Sequence, residues 1–160
     1  MNYHETLVLY YEEEVEGEAY FLEWAKAFED PDHCAKMVLM GEVERHAAAA
    51  VRPLLEKYGL TPRAAADLVQ SGVTSARKAT GDWTRAIDEM TETFPGYIDD
   101  FERLEAMAPS EDRARLNFLT EHEVAAIKFL ELEKTNPSES AAPLRDYLAT
   151  PAETWAPKAA

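Results

Sequence analysis

Glu14, Glu18, Glu42 and His46 are side chains able to bind a metal ion, and each stands on a helix face that its neighbours make apolar. At about 100° per residue, the segment Tyr3 to Phe28 carries one apolar stripe, with Leu7, Tyr11, Phe21 and Ala25 on it and Glu14 and Glu18 at its centre. In the next segment Ala35, Val38, Leu39, Ala49 and Pro53 share a face, and Glu42 and His46 lie on it one turn apart. A buried, unpaired carboxylate costs several kcal/mol or takes up a proton. Carboxylates and an imidazole on facing stripes therefore call for a partner that offsets desolvation, and a divalent ion does so. If the chain turns near Asp30, Glu18 falls level with Glu42 and Glu14 with His46. Such oxygen and nitrogen ligands suit iron, with manganese and zinc as alternatives.

The C-terminal half offers less. Leu116, Leu119, Ala126 and Leu130 define a stripe with Glu123 inside it and His122 at its edge. Both join the candidate ligand set, while Glu121 points away. The stripe Trp83, Ile87, Met90, Phe94, Tyr97, Phe101 and Leu104 has only Glu105 near it, at the wrong level. Glu16, Glu23, Glu44, Asp99, Asp100, Glu131 and Glu133 read as solvated face. Arg45 offers an alternative to metal, as an ion-pair partner for Glu14 or Glu18. Tyr10, Tyr11 and Tyr20 read as packing residues.

The elements that position these residues are helices. The first runs from about Tyr3 to Phe28. The second opens at Pro31 behind an Asp30 cap and stops at Tyr58-Gly59, with Pro53 expected to kink it. A short helix is expected over Pro62 to Gln70. The third long helix runs from near Asp82 to Met107, with Pro95-Gly96 leaving two pieces at an angle and one rod equally open. The fourth runs from Ser110, as its cap, to about Lys134. Residues 136–160 read as a mostly irregular tail with one helical turn at Leu144 to Leu148. No strand pattern of useful length is present. The fold class is therefore all-α, with one bundle over residues 1–135. Short first and last connections force two antiparallel hairpins, and the long middle one suits a crossover.

Composition limits the partners. The 160 residues are 46% hydrophobic and 29% charged, in the globular range. With 31 acidic against 16 basic residues, net −15, neither nucleic acid nor an anionic membrane is expected as partner. The single cysteine, Cys34, suits a reducing cytosol, and the acidic start MNYHETLVLYYEEE argues against a signal peptide. A cytoplasmic protein is expected. A second stripe on the second helix, Met37, Met40, Ala47, Val51, Leu54 and Leu55, would meet either the crossover segment or a second subunit, which makes a homodimer the expected assembly.

EGEAYF on the first helix, GEVERHAAA on the second, a long crossover and TEHEVAAIKF on the fourth together resemble the ferritin-like di-iron carboxylate superfamily. The resemblance covers residues 3–134 and implies a ferritin-like antiparallel four-helix bundle with a metal pair in its core. It implies an oxidoreductase reacting with O2 or peroxide on a small-molecule substrate. Iron storage, or a metal-free bundle acting as a binding scaffold, are the other classes it leaves open. The sequence departs from the family pattern in three ways. Glu42 and His46 are four residues apart instead of three, His122 and Glu123 are adjacent, and the third long helix has no carboxylate at the right level.

Overall fold

The computed structural model describes residues 1–152. Six α-helices carry the fold, with no strand among the described residues. They are α1 (Tyr3–Trp24), α2 (Pro31–Lys57), α3 (Ala65–Ala76), α4 (Trp83–Met107), α5 (Arg113–Thr135) and α6 (Ala142–Ala149). None of these is long and apolar enough to cross a membrane.

The helix ends are set by local chemistry. Asn2 caps α1 in a capping box, accepting from the Glu5 N–H at 2.9 Å while Glu5 accepts from the Asn2 N–H at 3.0 Å. Asp30 caps α2 with Pro31 as its first residue, and Asp82 caps α4. Gly59, at φ 63°, ends α2, and the Leu60 N–H reaches back to the Leu55 carbonyl at 2.9 Å. That left-handed residue is the reason for a glycine here. At the start of α5, residues 110–112 form a 3-10 turn and Ser110 is not the cap.

Neither internal proline breaks its helix. Pro53 and Pro95 both sit on exposed faces of continuous helices. The carbonyls their missing N–H groups leave free, at Ala49 and Thr91, can be solvated there, which removes much of the penalty. The expected short helix lies further along the chain, as α3. The expected irregular tail contains α6, longer than one turn, and residues 153–160 lie outside the described residues.

Contacts between side chains fix the directions of the helices. Tyr3 meets Tyr58, and Gly17 faces Glu44, so α1 and α2 are antiparallel. Phe101 meets His122 and Asp88 pairs with Lys134, so α4 and α5 are antiparallel too. Arg115 on α5 donates to the Ala50 carbonyl of α2, and α4 touches α1 through Phe101–Tyr10 at one end and meets Phe28, just past the end of α1, through Trp83 at the other. Thus α2 ends beside the start of α1 whereas α4 begins beside its end. The segment carrying α3 spans that interval along the outer side of α1. There Gly72 lies so close that a Cβ on it would stand 2.3 Å from the Glu16 carbonyl oxygen.

The core is one continuous cluster in which Leu7, Met37, Leu104, Leu116, Phe129 and Leu144 are fully buried. On α2 the inward stripe is Met37, Met40, Ala47, Val51, Leu54 and Leu55, all buried. This is the stripe that the sequence offered to the crossover or a second subunit. The other face, which the sequence turned towards the metal, carries α6 through His46 and is otherwise exposed at Ala35, Glu42, Ala49 and Pro53.

Candidate metal centre

The inward rotation of α2 brings Glu44 to the level of Glu14. Gly17 makes room for it. A Cβ at that position would meet Glu44 Oε2 at 3.0 Å and Cδ at 3.1 Å, so the glycine is a cradle for the carboxylate. On α5, His122 and Glu123 are adjacent and both are buried, His122 at 1% and Glu123 at 4% exposure. With α5 set between α2 and α4, two residues 100° apart both reach the interior.

The result is a cluster of three carboxyl groups and an imidazole from α1, α2 and α5. His122 Nε2 lies 3.0 Å from Glu14 Oε2, 3.7 Å from Glu44 Oε2 and 3.7 Å from Glu123 Oε2. One ligand atom each from Glu14, Glu44 and His122 lie within 4.8 Å of one another. His122 Nδ1 contacts the Leu119 carbonyl one turn back. An Nδ1–H donated there leaves the Nε2 lone pair facing the carboxylates, the tautomer a metal-binding histidine needs. A lone pair facing anions is repulsive without a proton or a cation between them.

Two observations fit a bound cation. Glu123 Oε1 is buried without a hydrogen bond, and Glu14 Oε2 is buried with only the His122 Nε2 beside it, although a buried carboxylate normally carries a large desolvation cost. Burial also pushes the Glu14 carboxyl up to about 8, with the Glu123 charge adding to it and a hydrogen bond to Glu44 opposing it. Glu123 rises to about 7, from burial and from Glu44, against the pull of His122. Burial, then the charge of Glu14, holds Glu44 well above the ordinary carboxylate range. Without a cation the cluster must keep protons near neutral pH. A divalent ion would replace them.

Of the residues singled out in the sequence, Glu14, His122 and Glu123 meet here, and Glu18, Glu42 and His46 do not. Glu18 pairs with Arg45 at 2.8 Å on the surface, the ion-pair alternative. Glu42 is exposed. His46 Nε2 lies 2.6 Å from the Thr150 carbonyl and packs edge-on to Phe118 and Tyr147, tying α6 to α2. For Glu42 and His46 the cause is the rotation of α2, about half a turn from that expected. Glu44, read as solvated, is the residue the sequence reading missed. Its signal was present, since it continues the stripe Met37, Met40, Ala47 and Val51.

Glu133 was also read as solvated, and its side chain is only 7% exposed. It accepts from Lys36 at 2.7 Å, Trp83 Nε1 at 3.0 Å and Ser140 at 2.7 Å. With Asp32 and His33 it forms a second acidic group. Lys36 already supplies the cation there, and also pairs with Asp32 at 2.7 Å. The α4 helix adds no ligand: Glu105 accepts from Thr120 at 2.9 Å instead.

A cavity of about 440 Å³ opens from the cluster between α1 and α4. Phe21, Trp24, Met90, Phe94 and Phe101 line its walls, with Glu13, Tyr20, Glu89 and Tyr97 also lining it. No protein-family model, curated protein or solved structure matches this chain.

Proposed function

We propose that this chain is a metal-binding helical protein whose Glu14, Glu44 and His122 hold a divalent ion, with Glu123 as a fourth or bridging ligand. Iron is the favoured ion, with manganese and zinc as alternatives. The carrying observation is the convergence of three carboxyl groups on His122 Nε2, with Glu14 Oε2 at 3.0 Å from it and Glu123 Oε1 buried with no hydrogen bond. Bound iron would supply redox chemistry towards O2 or peroxide. The residues of the chain hold it, shield it with Phe101 and Phe21, and leave the cavity beside it for a small substrate.

The arrangement of two antiparallel hairpins with α3 in the connection between them supports a ferritin-like four-helix bundle with a crossover. The oxidoreductase reading rests on that likeness and on the cavity. Storage is less well supported, since α4 gives no ligand to the cluster. The raised carboxyl groups support a second reading, a metal-free cluster sharing protons, in a bundle that serves as a binding scaffold.

Protein purified without chelator and supplied with Fe(II) anaerobically should bind one or two ions per chain, and admitted O2 should oxidise them and then stop. Well under half an equivalent bound would favour the proton-sharing cluster, and uptake of tens of ions per chain would favour storage.

A further inference from the structure

The cavity has more room and more charge than an ion needs. Its volume of about 440 Å³ is many times the roughly 30 Å³ share of a water molecule, and the cluster occupies only its floor. Phe21, Trp24, Phe94 and Phe101 give it apolar walls, which favour an organic occupant. The charges around it are one-sided. Glu13, Glu14, Glu44, Glu89 and Glu123 line it, and no lysine or arginine does so among the described residues. Glu89 is neutralised by Arg85 at 2.9 Å. Glu13, at the exposed end, is in no ion pair among the described residues, and Glu123 Oε1 is buried with no hydrogen bond.

We infer that this cavity takes a small organic cation, an ammonium group carried on an aromatic or aliphatic body, with Glu123 and Glu13 holding the nitrogen and the aromatic walls holding the body. A carboxylate or phosphate would find no lysine or arginine in the lining to pair with and would meet the carboxyl groups of Glu13 and Glu123 instead. A neutral molecule would leave Glu123 Oε1 desolvated and unsatisfied, whereas an ammonium N–H donates to it. Tyr20 and Tyr97 also line the cavity and add ring faces to which a cation is attracted. As the substrate class of the metal centre the assignment rests on the metal reading above; as a binding site it stands on the cavity alone.

Three probes of one shape test it: 2-phenylethylammonium, 2-phenylethanol and 3-phenylpropionate. Each is titrated into the full chain near neutral pH at about 0.15 M salt, with and without saturating Zn(II). The readouts are calorimetry and the fluorescence of Trp24 in the wall. The ammonium should bind about tenfold or more tighter than the alcohol, and the carboxylate should not saturate. Glu13→Gln, a change at an exposed position, should reduce the preference for the ammonium and leave the affinity for the alcohol unaltered. Equal binding of carboxylate and ammonium, or no saturation by any probe, overturns the inference. If zinc fails to bind while the ammonium is still selected, the metal reading falls and the cation site stands. If zinc binds and the ammonium is not preferred, the cation site falls alone.

Discussion

His122 is the residue on which the centre turns, because its Nε2 faces all three carboxyl groups and its Nδ1 is held by the Leu119 carbonyl. His122→Ala should weaken metal binding by about 100-fold or more, beyond the 10–100-fold typical of an outer-shell change. His46→Ala should leave metal affinity within about twofold, because His46 contacts α6 and not the cluster. Calorimetry on the two variants decides between the helix faces: a loss at His46 with none at His122 would reject the cluster. The raised carboxyl groups also set a sign for pH. Folded Glu14 and Glu123 titrate near 8 and 7 against an ordinary value of 4.5. Between those values the folded chain holds more protons than the unfolded one, so its stability falls as pH rises. Metal-free protein should therefore show a melting temperature that declines from about pH 5 to about pH 8.5. Metal holds the carboxylates ionised and should flatten that decline. A melting temperature of the chelated protein that climbs over this range would contradict the buried cluster.

Close packing between elements is sharpest where α3 crosses α1. Gly72→Ala puts a methyl group 2.3 Å from the Glu16 carbonyl oxygen, which is backbone and cannot step aside. The change should cost about 1–3 kcal/mol, whereas Gly96→Ala, with nothing within 4 Å of the new Cβ, should stabilise α4 by about 0.5–1 kcal/mol. Chemical denaturation of both variants checks the contrast, and an equal effect of the two would mean that α3 is not seated there. At the far end of the molecule, buried Asp112 accepts from Lys57 at 2.7 Å and from the hydroxyls of Tyr3 and Tyr58, joining α1, α2 and α5. These donors hold its carboxyl below the usual value despite burial. The two ends of α2 were legible in the sequence because caps are local: Asp30 with Pro31, and Tyr58 with Gly59. The exposure of Pro53 and Pro95 was not, since whether a proline breaks a helix depends on which side of it meets water. Nor was the rotation of α2. Two stripes compete on that helix, and the choice between them is tied to α6, a helix in a segment that sequence pattern marks only weakly. Three of the centre's four residues were therefore readable, Glu14, His122 and Glu123, and Glu44 became visible only once the inner stripe was known.

Across the whole molecule, the net charge of −15 complicates any test of metal binding, because 31 carboxylates attract divalent cations without any site. Salt separates the two kinds of binding. Exposed charges interact over about 8 Å at 0.15 M salt and about 3 Å at 1 M, so diffuse binding to the acidic surface fades as salt rises. The Glu14–Glu44–His122 cluster lies largely inside the core, and its ligand atoms lie within 4.8 Å of one another. Its attraction acts inside the screening distance and through a low-dielectric interior. Titration with Co(II) should show one tight class of sites and several weak ones at about 0.1 M salt. At about 1 M the weak class should vanish, and the tight class should keep its affinity within about an order of magnitude. His122→Ala should remove the tight class alone. The same salt screens repulsion between the surface carboxylates, so the metal-free chain should itself become harder to melt as salt increases. A tight class that disappears with the weak one at high salt would place the metal on the surface, and Glu14, Glu44 and Glu123 would then be a proton-sharing cluster in a metal-free core.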